Sequence, residues 1–111
     1  MSRRVVGEGD NAQAVRIDVW LWRARFAKTR SLAQAMVNEG GFRLSRGGLT
    51  RRLEKPSAEI FVGDQLLFSQ RGQLRVIRVR ALGLRRGPAT EARALYEDVA
   101  EEPNPDLEGV S

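Results

Sequence analysis

The chain has 111 residues, no cysteine, no histidine, and 19 Lys/Arg against 14 Asp/Glu, a formal net charge of +5. One domain fits this length and a second has little room. The missing residue types exclude disulfides, thiolate chemistry, Cys/His zinc sites and histidine base catalysis, so neither an enzyme activity nor a cofactor is expected.

The charge is unevenly placed. Residues 16–87 hold sixteen Lys/Arg and five Asp/Glu, a net +11, whereas residues 88–111 hold one Arg and seven acids, a net −6. A surface this basic finds its natural counter-charge in a polyphosphate. Arg outnumbers Lys seventeen to two, which suits forked contacts to phosphates and bases, although a GC-rich genome gives the same bias. No run of eighteen apolar residues occurs, and no apolar stretch follows Arg3-Arg4. Neither a membrane span nor a secretory signal is predicted, and the expected compartment is the cytoplasm.

Residues 1–15 carry Gly7, Gly9 and Asn11 without periodicity and read as a flexible arm. Ile17, Trp20, Leu21 and Ala24 then fall at i, i+3, i+4 and i+7, which predicts a helix over 18–27 with Asp18 as its cap or first-turn acid. Lys28-Thr29-Arg30-Ser31 breaks the pattern. Thr29 is the expected N-cap of a second helix over 30–39, with Leu32, Ala33, Met36 and Val37 as its buried stripe and Gly40-Gly41 as its stop. Short apolar runs follow around Phe42-Arg43-Leu44, Ile60-Phe61-Val62, Leu66-Leu67-Phe68 and Leu74 to Leu82, separated by turn signals that include a turn over Ser45 to Thr50. They predict three to five short strands in a small twisted antiparallel sheet. The adjacent Val76-Ile77 suggests a bulge or register change. Ala92, Leu95, Tyr96 and Val99 restore helical spacing and predict a C-terminal helix over 88–102, ahead of a disordered acidic tail, 103–111. The fold class is therefore α+β.

The functional signal lies in the turn from Arg25 to Arg30, which places cations at the end of one helix and the start of the next. Cations at a helix N-terminus oppose the macrodipole by roughly 0.3–1 kcal/mol each. If an anion sits there, the sign reverses, because unpaired N–H groups, dipole and cations converge on it. Lys28, Arg30 and the amides after Thr29 thus form a candidate phosphate cradle, with Arg23 and Arg25 on the preceding helix and Arg16 just before it. Trp20 belongs to the core stripe. Trp22 either packs on Phe26 or stands as a stacking platform. The Gly47-Gly48 segment with Arg46, Arg51 and Arg52 could bend around a backbone, but it lacks the Lys-Ser/Thr and helix of a nucleotide-binding loop. The arginines of 75–80 are either a solvated face or part of the footprint.

Arg16-Ile-Asp-Val-Trp-Leu-Trp-Arg-Ala-Arg25, then Lys28-Thr-Arg30-Ser-Leu-Ala, then Gly40-Gly41, closely resembles the S-four RNA-binding domain. With Gly87-Pro-Ala-Thr-Glu-Ala-Arg-Ala-Leu-Tyr96-Glu-Asp, the likeness narrows to the heat shock protein 15 family and covers about residues 16–102. The resemblance implies an S-four domain over 16–87, two N-terminal helices on the sheet, and binding of structured RNA. It implies as partner the dissociated large ribosomal subunit carrying a stalled peptidyl-tRNA, in recycling or quality control. Its RNA-facing positions here are Arg16, Arg25, Lys28 and Arg30, with Arg43 further along. Val19 stands where the pattern usually has Lys, and the 44–54 loop lacks the usual Val-Asn-Gly turn. A monomer is expected. Two alternatives remain: a DNA-binding regulator using the helix–turn–helix with Gln34 and Asn38 as its base-reading amides, and an accessory RNA-binding subunit of an RNA-modifying enzyme.

Overall fold

Residues 13–99 are described by the computed structural model of the chain. Residues 1–12 of the arm expected over 1–15 and the tail expected over 103–111 lie outside them. In chain order the elements are β1 (Ala14–Arg16), α1 (Ile17–Arg23), α2 (Arg30–Asn38), β2 (Arg43–Arg46), β3 (Leu49–Arg52), β4 (Glu59–Phe61), β5 (Gln65–Gln70), β6 (Gln73–Val79), α3 (Ala89–Arg93) and β7 (Tyr96–Asp98). The main sheet has five antiparallel strands in the order β3-β2-β5-β6-β7, and β1 pairs with β4 in a separate ribbon. The last two residues of the expected arm, Ala14 and Val15, are therefore strand together with Arg16, opposite Phe61 to Glu59.

One core joins the helices to the sheet. Ile17, Trp20, Leu21 and Ala24 are buried as their spacing requires, and they meet Leu44, Leu66, Phe68, Ile77 and Val79 from the strands. The Trp20 indole N–H donates to the Ala81 carbonyl at 2.9 Å, which satisfies its one polar atom inside the core. Phe26 packs on Trp20, Phe68 and Tyr96 rather than on Trp22, which is half-buried. On α2, Ala33 and Val37 are buried, but Leu32 is 50% exposed and Met36 only half-buried. The stripe is narrower than predicted because α2 packs chiefly on α1.

Two glycine-bearing turns fix the register. Gly47 and Gly48 both have positive φ, and the hairpin they close pairs Arg46 with Leu49 and Arg43 with Arg52. The expected Ser45–Thr50 turn is thus only two residues long, in the backbone form that glycine pairs favour. Arg71-Gly72 closes the β5–β6 hairpin in the same way. That ladder runs from Gln65↔Arg78 to Gln70↔Gln73 without slip. The suggested bulge at Val76-Ile77 is absent: Ile77 faces the core, while Val76 sits opposite Leu67 on the other face.

The C-terminal helix is shorter than predicted. It covers Ala89–Arg93, and Tyr96–Asp98 instead pairs with β6, setting Val79 opposite Tyr96 and Ile77 opposite Asp98. Five residues of helix gain little by themselves. Pairing with the open edge of β6 satisfies backbone groups and brings Glu97 and Asp98 onto arginines.

Candidate nucleic-acid interface

Helix α1 stops at Arg23, four residues before its expected end at 27, and the way it stops shapes the site. The Phe26 N–H donates to the Leu21 carbonyl at 2.9 Å and the Arg25 N–H to the Trp22 carbonyl at 3.2 Å. These two bonds, with Phe26 packed into the core, form a Schellman closure whose left-handed residue is usually glycine. Here it is Arg25, at φ 65°. A non-glycine residue in that region costs roughly 1–2 kcal/mol. Strain of this kind concentrates where a side chain is needed. The Arg25 Nε donates to the Gly87 carbonyl at 2.7 Å, which holds an exposed guanidinium beside the turn.

Thr29 is the N-cap, as its position predicts. Its backbone is extended, and its Oγ1 accepts from the Leu32 N–H at 3.0 Å. Lys28, Thr29 and Arg30 are all exposed, and no acid occupies the first turn of α2. The amides of Arg30 and Ser31 have no preceding helical carbonyl to bond. Among the described residues, no carboxylate pairs with Arg25, Lys28 or Arg30.

Other candidates are occupied. Arg16 forks onto Asp18, Nε to Oδ1 at 3.0 Å and Nη2 to Oδ2 at 2.9 Å. Asp18 is fully buried and also accepts from Gln34 Nε2 at 3.0 Å. Burial alone would raise its pKa, but the hydrogen bonds from Arg16 and Gln34 and the Arg16 charge outweigh that and hold it below the ordinary carboxylate value. Arg16, with its side chain 46% exposed, is therefore tied to the start of α1. Arg23 donates through Nη1 to the carbonyls of Leu82 and Gly83, at 3.3 and 2.8 Å, and is a staple between α1 and the 82–87 connector. Arg46 forks onto buried Asp64, with both contacts at 2.8 Å, and lies over the Phe61 ring.

A second set of unneutralised cations stands on the β2–β3 hairpin. Arg43 faces Arg52 directly across the strands, and Arg43, Arg51 and Arg52 are all exposed. Like charges at directly opposed positions destabilise a sheet, and among the described residues no acid relieves this pair. The guanidinium of Arg52 lies by Gly40, just past the end of α2. The two cationic sets therefore sit at opposite ends of that helix, about 13 Å apart along its axis. The sequence names Arg43 but not its opposition to Arg52; a two-residue Gly47-Gly48 turn would have set that register.

The arginines on and after β6 are different. Arg75 pairs with Asp98 at 2.9 Å, and Glu97 takes both Arg78, at 2.7 Å, and Arg80, at 2.9 Å. The hydrogen bond from Arg78 and the charges around it lower the Glu97 pKa. Among the described residues, no group of three or more His, Cys, Asp or Glu is placed to hold a metal, and no helix is long and apolar enough to cross a membrane.

Residues 15–44, from β1 to the start of β2, match the S4 domain. Heat shock protein 15 of Escherichia coli K12 is 42% identical over 90 residues, which span 81% of this chain and 64% of that protein. A homolog in Haemophilus influenzae is 38% identical over 84 residues, 76% of this chain and 60% of the relative. A trimeric structure of Vibrio cholerae heat shock protein 15 superposes with a TM-score of 0.68 at 37% identity and covers 80% of this chain and 85% of that one. The agreement extends from the basic turn through the sheet, well beyond the S4 match, and on it the chain belongs to the heat shock protein 15 family.

Proposed function

We propose that this chain is a non-catalytic binder of structured RNA, gripping phosphates with Arg25, Lys28 and Arg30 at the α1–α2 turn and with Arg43 and Arg52 at the hairpin. The observation that carries this reading is the distribution of counter-charge. The cations of β6 are all paired, whereas Arg25, Lys28 and Arg30 at the turn and Arg43 and Arg52 at the hairpin face no carboxylate among the described residues. Phosphate supplies the missing charge, and the amides at the start of α2 add donors to it. Thr29 shapes the cradle by capping the helix, Arg16 and Arg23 support it from within the fold, and membership in the heat shock protein 15 family supports RNA as the ligand.

The finer reading is that the RNA is ribosomal RNA or tRNA on a dissociated large ribosomal subunit with a stalled peptidyl-tRNA. Sedimentation of the chain with purified large subunits, loaded and unloaded, tests it. Binding should weaken with salt, with a slope of about −0.9 per duplex phosphate contacted. Unchanged subunit binding after Arg25, Lys28 and Arg30 are all replaced by Glu would refute the face. Duplex DNA is the less favoured ligand, because Gln34, one of the two amides available for base reading, is committed to Asp18. Competition between a defined DNA duplex and a folded RNA at matched salt separates the two. Co-purification with an RNA-modifying enzyme, without ribosomal particles, would indicate an accessory subunit. The monomer expected from sequence stands against the trimeric relative from Vibrio cholerae, and sedimentation of the chain alone reads its own state.

A further inference from the structure

Next to the basic turn, a recess of about 230 Å³ opens between Arg25, Phe26, Gln70, Arg75, Arg93 and Tyr96. Four separate parts of the chain build it: the closure after α1, the β5–β6 hairpin, α3 and the start of β7. Two aromatic side chains, Phe26 and Tyr96, contribute to its lining. Phe26 and Tyr96 lie 4.7 Å apart between centroids, and the Arg75 guanidinium sits 5.5 Å from the centre of Phe26. Arg75 is fixed there by donating to Gln70 Oε1 at 2.8 Å and to Asp98 Oδ1 at 2.9 Å. The first bond uses the carboxamide oxygen of Gln70. It leaves the Gln70 amide hydrogens without a partner among the described residues, and the Tyr96 hydroxyl likewise. Arg25, held in its left-handed conformation, and exposed Arg93 stand at the rim.

Aromatic side chains, a fixed guanidinium, an amide donor and cations in the lining together suit a planar heteroaromatic ring attached to phosphates. The volume is below the ~300–1,000 Å³ of drug-sized ligand sites, which limits the occupant to a small group. We infer that the recess takes one unstacked nucleobase of the bound RNA, which packs against Tyr96 and the Arg75 guanidinium and presents an acceptor to the Gln70 amide. This rests on the RNA-binding reading above, since Arg25 belongs both to the recess and to the phosphate-facing turn. That continuity favours a nucleotide within an RNA over a free one. The face thereby gains selectivity for RNA with a bulge or loop, which phosphate contacts alone do not provide.

The test compares a fully paired RNA hairpin with the same hairpin carrying one bulged adenine, replaced in a parallel probe by a fluorescent adenine analogue. The wild-type chain should bind the bulged RNA about tenfold more tightly, as stacking of one base on aromatic side chains provides, and the analogue's fluorescence should fall on binding. The double variant Gln70→Met, Tyr96→Leu, which removes the amide donor and a stacking ring, should lose that preference while staying folded and keeping its affinity for the paired hairpin. Equal binding of the two hairpins by the wild-type chain, or a preference that survives in the double variant, overturns the nucleobase site and leaves the RNA reading standing. Competition by a free nucleoside monophosphate at concentrations comparable to the RNA overturns the assignment to RNA. Failure to bind either hairpin overturns the RNA-binding reading and this inference with it.

Discussion

Arg75, Arg78 and Arg80 on and after β6 and Arg25, Lys28 and Arg30 at the α1–α2 turn carry the same formal charge, yet only the first set meets carboxylates. Glu97 and Asp98 on β7 close over the first three. Lys28 and Arg30 lie exposed at the start of a nine-residue helix that has no acid in its first turn. Counting cations along the chain cannot tell these regions apart. What separates them is the edge strand, which delivers two acids to β6 and none to the turn. A basic patch becomes a binding face where the fold withholds its own counter-ions.

The comparison breaks if the two regions contribute equally to RNA affinity. Replacing Arg25, Lys28 and Arg30 together by Glu should lower affinity at least about 100-fold at low salt. It should also flatten the salt dependence by about 2.7 units of slope, the share of three phosphates. Replacing Arg78 by Gln should change affinity less than about twofold, since its charge is already spent on Glu97. Titration of a labelled RNA at several salt concentrations measures both.

Arg25→Gly sharpens the same contrast within one residue. Glycine relieves the left-handed strain, a gain of roughly 1–2 kcal/mol, and the bond to the Gly87 carbonyl is lost, a cost of similar size. Thermal or denaturant unfolding should therefore move by less than about 1 kcal/mol, while RNA affinity falls about tenfold. An affinity loss matched by a large loss of stability would show instead that Arg25 serves the fold.

The residues that sequence periodicity locates are those with a strong local cause. The α1 stripe, the Thr29 cap and the Gly40-Gly41 stop each follow from a few neighbouring side chains. The end of α1 was not legible, because Ala24, Arg25, Phe26 and Ala27 all tolerate helix, and only the tertiary placement of Phe26 among Trp20, Phe68 and Tyr96 ends it. The spacing of Ala92, Leu95, Tyr96 and Val99 is helical, yet β6 had an open edge and arginines without partners, and the chain after Ala94 serves those better as a strand. The same limit applies to the site. Sequence shows where cations cluster, but it does not show that Arg16 and Arg23 are taken by Asp18 and by the 82–87 connector.

A smaller effect runs in the opposite direction. Glu97→Gln with Asp98→Asn would leave Arg75, Arg78 and Arg80 without carboxylates. The second region would then resemble the first, and RNA affinity should rise about threefold at low salt and converge on wild type near 0.5 M salt, as screening shortens the reach of the added charges. No rise would mean that bound RNA does not pass within reach of β6.

The smallest predicted change is in pH. The chain has neither His nor Cys, so no side chain ordinarily titrates between about pH 5 and 8, and RNA affinity should be flat there. Stability should fall only on the acid side. Asp18 has a folded pKa below its ordinary value of about 3.9. Its contribution is thus complete above that value and disappears as pH drops through the lower, folded one. Glu97 has the same sign. The two differ in consequence: protonating buried Asp18 disrupts the start of α1 and its link to Gln34, whereas protonating half-exposed Glu97 releases arginines into solvent. Unfolding measured from pH 5 down to about pH 2 should therefore lose its acid limb mainly in Asp18→Asn and only slightly in Glu97→Gln. The reverse order would place the electrostatic keystone of the fold at β7 rather than at the entrance to α1.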